Sequence, residues 1–239
     1  MEWVDGVWAR VLPEQGVALS GTPVLLVLLG AMVAVTIRPV WRVMRLGVTL
    51  VHELGHAGVG VLCGRRFTGF VLRGDMSGHA VTVGPARGTG RVLTTWAGYP
   101  APALVGALLV WLAVRGWSAP ALTVVLALLL LAALWVRSLL TVVVVLAALA
   151  GAGALWWAGA AQLQAQVLVA VGVVLVVGAW RHLGAVLAAP ADRGSDPAVL
   201  ARLTRVPRFL WSASFVLTCG VVTWWALRTV LDAADRLSA

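Results

Sequence analysis

Runs of about 20 apolar residues, parted by short polar breaks, fill the sequence from residue 17 onward, and they restrict its possible folds more than any other feature. A hydrocarbon layer of about 30 Å takes about 20 helical residues to cross, and the backbone inside it must satisfy its own hydrogen bonds. The runs lie at about 17–37, 43–63, 92–114, 117–136, 138–158, 165–188 and 208–227. They predict an all-α polytopic membrane protein with about seven transmembrane helices. With 61% hydrophobic residues, 11% charged residues and a mean hydropathy of +0.97, a water-soluble globular fold is excluded. Little length remains for a second domain. Residues 17–231 therefore read as one membrane domain, 1–16 as an interfacial segment carrying Trp3 and Trp8, and 232–239 as a short tail.

All 18 basic residues are arginine, and the formal net charge is +9. On a membrane protein such charge reports orientation and contact with anionic lipid, so the expected partner is the bilayer and not nucleic acid. Counting the predicted spans puts twelve arginines, Arg65, Arg66 and Arg193 among them, on one side and six on the other. The positive-inside rule then makes the first side cytoplasmic. Cys63 and Cys219 sit in apolar runs and read as packing residues.

The second run carries His52-Glu53-Leu54-Gly55-His56, an H-E-x-x-H pattern, with no other charged residue between 46 and 62. On a helix, His52 and His56 are four apart and share one face, where two neutral imidazoles can hold one Zn2+ ion. Glu53 stands beside a ligand without being one, and can take the proton of an attacking water. The pattern thus predicts a zinc metallopeptidase with Glu53 as its catalytic base. Titratable groups at membrane depth are costly, which argues for a function; the alternative is a polar cluster that only hydrogen-bonds between helices.

Residues 64–91 interrupt the apolar pattern. Arg66 to Leu72 and His79 to Val83 read as two short strands around a glycine-rich turn, a small membrane-associated β-hairpin. A free edge on this hairpin, expected at Gly69, Phe70 and Val71, can take an extended substrate as an added strand. Tyr99 is the one tyrosine, within Ala97-Gly98-Tyr99-Pro100-Ala101-Pro102; it can donate a hydrogen bond to a developing oxyanion or serve as an interfacial anchor. The second polar stretch, 189–207, holds Asp192 and Asp196. Four predicted spans return it to the side of the hairpin, so either aspartate can reach the histidines. Asp196, followed by Pro197, also fits a helix N-cap. Asp75 and His79 are further candidates for a third ligand.

Together these residues resemble the site-2-protease-like intramembrane zinc metallopeptidases, especially a compact bacterial branch of that family. The resemblance covers about residues 43–210. It rests on residues 51–56, the glycine-rich hairpin, Ala97 to Pro102, and Gly194-Ser195-Asp196-Pro197 followed by Leu200 and residues 203–207. It implies that His52, His56 and Asp196 hold zinc and that Glu53 is catalytic. It further implies a transmembrane or membrane-proximal protein or peptide as substrate, cut in regulated intramembrane proteolysis, at a site near the cytoplasmic face of a bacterial inner membrane. The chain departs from the larger branch in having no asparagine, and Asp196 lacks an Asn-Pro-Asp-Gly-like setting. A non-catalytic membrane scaffold that retains a zinc site would share all of these residues. A metal transporter would string acidic and histidine side chains across its spans, whereas here they gather at one end.

Overall fold

The structure is a computed structural model that describes residues 8, 10–13, 22–188 and 193–238. Most of the expected interfacial segment at 1–16, and Asp192, lie outside the described residues. In chain order the elements are α1 (Thr22–Thr36), α2 (Arg38–Leu62), β1 (Arg66–Leu72), β2 (Gly78–Val83), α3 (Thr89–Trp96), α4 (Pro100–Val114), α5 (Ser118–Ala133), α6 (Leu139–Ala158), α7 (Ala161–Ala188), α8 (Asp196–Thr204) and α9 (Arg208–Ser238).

Among the described residues the fold is helical with one small two-stranded sheet, as the apolar runs predict, and length and composition support three to five membrane spans where seven were expected. Helices α6, α7 and most of α9 are each long and apolar enough to cross a membrane. Two further spans exist if each of two bent pairs is counted as one: α1 with α2, bent by 98°, and α3 with α4, bent by 61°. Both breaks have sequence causes. Ile37 is extended, at φ −73° and ψ 113°, ahead of Pro39 in the first turn of α2. At the second break Pro100 and Pro102 carry no N–H, so the helical bonds to the carbonyls of Trp96 and Gly98 cannot form. Helix α5 has 16 residues, about 24 Å of helix against a hydrocarbon layer of about 30 Å. The end of its apolar run is used otherwise, because Trp135 to Arg137 leave the helix and pair with β1.

Helix α7 is the central element: half of its most apolar window is buried, against 11% for the peripheral α6. Lipid tails are as apolar as leucine, so helices in a bilayer associate by close packing of small residues. Gly106 of α4 and Gly172 of α7 show this. A Cβ on Gly106 would lie 2.5 Å from the Gly172 carbonyl oxygen, and one on Gly172 would lie 2.6 Å from that of Gly106. Gly178 likewise admits Val48 of α2, whose Cγ2 would be 2.5 Å from an added Cβ. Helix α2 is thereby drawn onto the bundle centre, with Val48 fully buried among Leu109, Leu122 and Leu168.

The two strands pair antiparallel, with a bulge between Phe67 and Gly69. The outer edge of β1 is filled. Phe70 exchanges backbone bonds with Trp135 and Arg137, and the Leu72 amide donates to Thr141 Oγ1 at 2.7 Å. Phe70 itself is fully buried with Leu50, Leu129 and Val145. Only β2 has an edge without a paired strand among the described residues.

Candidate metal centre

The first two ligand candidates come from the middle of α2. Four residues apart, His52 and His56 lie on one face with ring centroids 4.7 Å apart and planes at 86°, and their Nε2 atoms are 3.1 Å from each other. Close contact with α4 is possible because Gly55 meets Ala101 and the Ala97 carbonyl, where no side chain would fit. The His56 Nδ1 lies 2.7 Å from the Thr94 carbonyl oxygen. A carbonyl only accepts, so Nδ1 carries the proton and the neutral ring presents a lone pair at Nε2.

Helix α8 brings the third. Asp196 Oδ2 is 3.3 Å from His52 Nε2 and 3.3 Å from His56 Nε2. All three side chains are largely buried, at 12–17% exposure. Ser195 is the N-cap of α8 and makes no side-chain cap bond; Asp196 is the first helical residue, with its carboxylate turned to the histidines. Its role is therefore not the N-cap that the following proline suggests.

Three atoms thus form a triangle with edges of 3.1, 3.3 and 3.3 Å. Tetrahedral zinc with bonds of about 2.0–2.1 Å sets its ligand atoms about 3.3–3.4 Å apart, so the spacing is that of one face of such a site. The donor set agrees: a lone pair at His56 Nε2 and a carboxylate oxygen have nothing to give each other, and Asp196 Oδ2 is buried without a hydrogen-bond partner. Convergent lone pairs of this kind need a cation. Gly98 closes the cradle, since a Cβ there would fall 2.6 Å from His52 Nε2 and closer still to His56. The residues present fit a divalent metal ion, and among the described residues no other group of three metal-binding side chains converges.

Glu53 points into the same cleft, of about 230 Å3, which His52, His56, Asp196 and strand β2 also line. It is 4% exposed, and its Oε2 has no hydrogen-bond partner among the described residues. Gly78 of β2 lies against it, with an added Cβ only 2.5 Å from Oε1. The hairpin tip is tied back to α2 where Thr49 Oγ1 donates to the Met76 carbonyl at 3.1 Å.

The other sequence candidates fall in three groups. Gly69, Phe70 and Val71 do not form the open edge: β1 is bonded to Trp135 to Thr141, and Gly69, with φ 154°, is packed under the Arg137 side chain. The unpaired edge belongs to β2, whose Gly78, His79, Ala80 and Thr82 line the cleft. Tyr99 stands behind the ligands, its ring edge-on to His52 at 4.9 Å and packed on Phe215 at 5.0 Å. Asp75 accepts from the Ser77 amide and hydroxyl in the exposed turn, which hold it below the usual carboxylate range, and it takes no part in the triangle. His79 lines the cleft outside the triangle.

Three residues at the site went unread in the sequence. Thr94 acts through a carbonyl, which no side-chain pattern reports. Gly98 shows its purpose only when the ligands are seen above it. His182 of α7 lies with its ring 6.4 Å from that of His52; the cost of a titratable group at membrane depth, the same argument that singles out Glu53, was the available signal.

A family model described as Peptidase M50B-like matches residues 25–226, and the chain belongs to that family, the site-2-protease-like peptidases. Comparisons with curated proteins and with solved structures return no match.

Proposed function

We propose that this membrane peptidase of the M50B-like family is a zinc endopeptidase that cuts transmembrane or membrane-proximal substrates within the bilayer region, in regulated intramembrane proteolysis. The observation that carries the reading is the convergence of His52 Nε2, His56 Nε2 and Asp196 Oδ2 beside a buried, unpartnered Glu53 oxygen. When bound, zinc supplies a Lewis acid that lowers the pKa of water and polarises a carbonyl. The chain's own groups do the rest. The Thr94 carbonyl fixes the His56 tautomer and ring direction. Glu53, held against Gly78, takes the proton of the attacking water and passes it to the leaving amine. Gly98 keeps the ligand face clear of side chains.

The free edge of β2 runs along the cleft, and an unwound substrate segment can add to it as a strand, with main-chain bonds that do not depend on its sequence. The reading takes the site to face the cytoplasm of a bacterial inner membrane, as the family resemblance implies, and Arg65, Arg66, Arg73 and Arg193 on the segments that flank the site support that side. A scaffold that only binds zinc would not need an unpaired carboxylate oxygen buried next to the metal ligands, which costs about 1–3 kcal/mol or more unless it has work to do.

The test is to purify the Glu53→Gln protein, identify what co-purifies with it, and offer that protein to wild type. Gln keeps the shape and cannot take the proton, so wild type should cut the bound protein and the variant should hold zinc without cutting. Equal cleavage by both would remove Glu53 from the chemistry.

A further inference from the structure

The two histidines of α2 are not supported alike. His56 donates from Nδ1 to the Thr94 carbonyl, whereas His52 Nδ1 is buried and has no hydrogen-bond partner. A ring that uses Nε2 as its lone-pair donor must carry its proton on Nδ1, and a buried N–H left without an acceptor keeps the full cost of its lost hydration. Something on the Nδ1 side of His52 must therefore accept.

Among the described residues, His182 is a group with an unpartnered ring nitrogen near enough to do so through a water. It projects from α7, the most buried helix, and its ring centroid is 6.4 Å from that of His52, at 63° between planes. Its Nε2 is also buried and without a hydrogen-bond partner. Ring nitrogens lie about 1.1 Å from the centroid, so 6.4 Å between centroids leaves at least about 4 Å between nitrogens: too far for a direct bond of about 2.9 Å and the right order for one bridging water. A third buried atom of the same kind, Arg45 Nε, belongs to the turn of α2 two turns before His52, on the same face. One water would join the two rings: it accepts from His52 Nδ1–H and donates to His182 Nε2, within the two to four partners that a buried water takes. Gly178, one turn before His182, makes the approach possible by admitting Val48 of α2.

We propose that His182 is a positioning residue for His52, accepting its Nδ1 proton through a buried water as Thr94 accepts that of His56 directly. The inference rests on the metal-centre reading, and its test separates the two. Zinc affinity is measured on the detergent-purified full chain by competition with a chromophoric chelator, for wild type, His182→Leu, His182→Gln, His182→Asn and Trp41→Phe. Loss of an outer partner of a metal-bound histidine lowers affinity by about 10–100-fold. The expected result is a loss of about tenfold for His182→Leu. His182→Gln, whose amide reaches the Nε2 position, should stay within about threefold of wild type, and His182→Asn, one bond shorter, should fall with Leu. Trp41 also packs edge-on against His182, at 6.3 Å between centroids, so Trp41→Phe should change nothing if packing is not the cause. His182→Leu at wild-type affinity overturns the proposal, and so does Gln falling as far as Asn. If His182→Leu does not fold, the Gln and Asn pair decides alone. Absence of zinc binding in wild type would instead overturn the metal centre itself.

Discussion

Replacing Gly98 by alanine adds one methyl group where the structure says it does most harm. Gly98 does not have the left-handed φ that only glycine favours, so the substitution carries no backbone penalty. The new Cβ would stand 2.6 Å from His52 Nε2 and nearer still to the His56 ring. Ordinary van der Waals separation is about 3.5 Å, so the His52 nitrogen has to retreat by about 1 Å. Metal sites tolerate ligand displacements of about 0.2 Å. If zinc binding is worth about 10–16 kcal/mol over four ligands, each displaced ligand costs about 3 kcal/mol, so with both histidines pushed aside the loss is at least roughly 100-fold in affinity. The assay is chelator competition on the purified protein, with Gly58→Ala as the control. Gly58 is exposed on α2, the helix of His52 and His56, with nothing within 4 Å of an added Cβ, and its replacement should leave zinc affinity unchanged. A Gly98→Ala protein that binds zinc within threefold of wild type would refute the cradle as described.

Two more predictions follow from placements in the fold. Asp196→Asn should keep the fold, because Ser195 and not Asp196 is the N-cap of α8 and asparagine is as well tolerated at a helix start, while zinc affinity falls at least tenfold, since a neutral amide replaces an anionic ligand; unchanged affinity would dismiss Asp196 as a ligand. Single cysteines at Gly74 and Arg193, both exposed, in a Cys63→Ala and Cys219→Ala background should be labelled by an impermeant reagent from the same side of the membrane, the cytoplasmic one; labelling from opposite sides would contradict the meeting of α8 with the hairpin.

How much of this was legible in the sequence depends on the range of the interaction that decides it. His52, Glu53 and His56 are fixed by helical spacing within one turn and a half, and the sequence alone puts them on one element. Asp196 required the family resemblance: on residue pattern alone it was one of four candidates, and only the meeting of α8 with α2 separates it from Asp75 and His79, with Asp192 outside the described residues. The hairpin was readable as two strands about a glycine-rich turn. Which of its edges stays open was not, because that depends on Trp135 to Arg137, some 65 residues away, leaving α5 to pair with Phe70. The count of seven spans is not confirmed, for a related reason. Hydropathy reports how long an apolar run is, whereas Ile37 and Pro39 bend the chain by 98° between the first two runs, Pro100 and Pro102 bend the third by 61°, and α5 stops at 16 residues.

The most direct measurement of the central claim is zinc K-edge X-ray absorption on the detergent-purified wild-type protein. The account predicts about one zinc per chain, bound only by nitrogen and oxygen at about 2.0–2.1 Å, with the scattering signature of two imidazoles. A Zn–S distance of about 2.3 Å, which would implicate Cys63 or Cys219, or zinc content unchanged after His52 and His56 are both replaced by alanine, would contradict it.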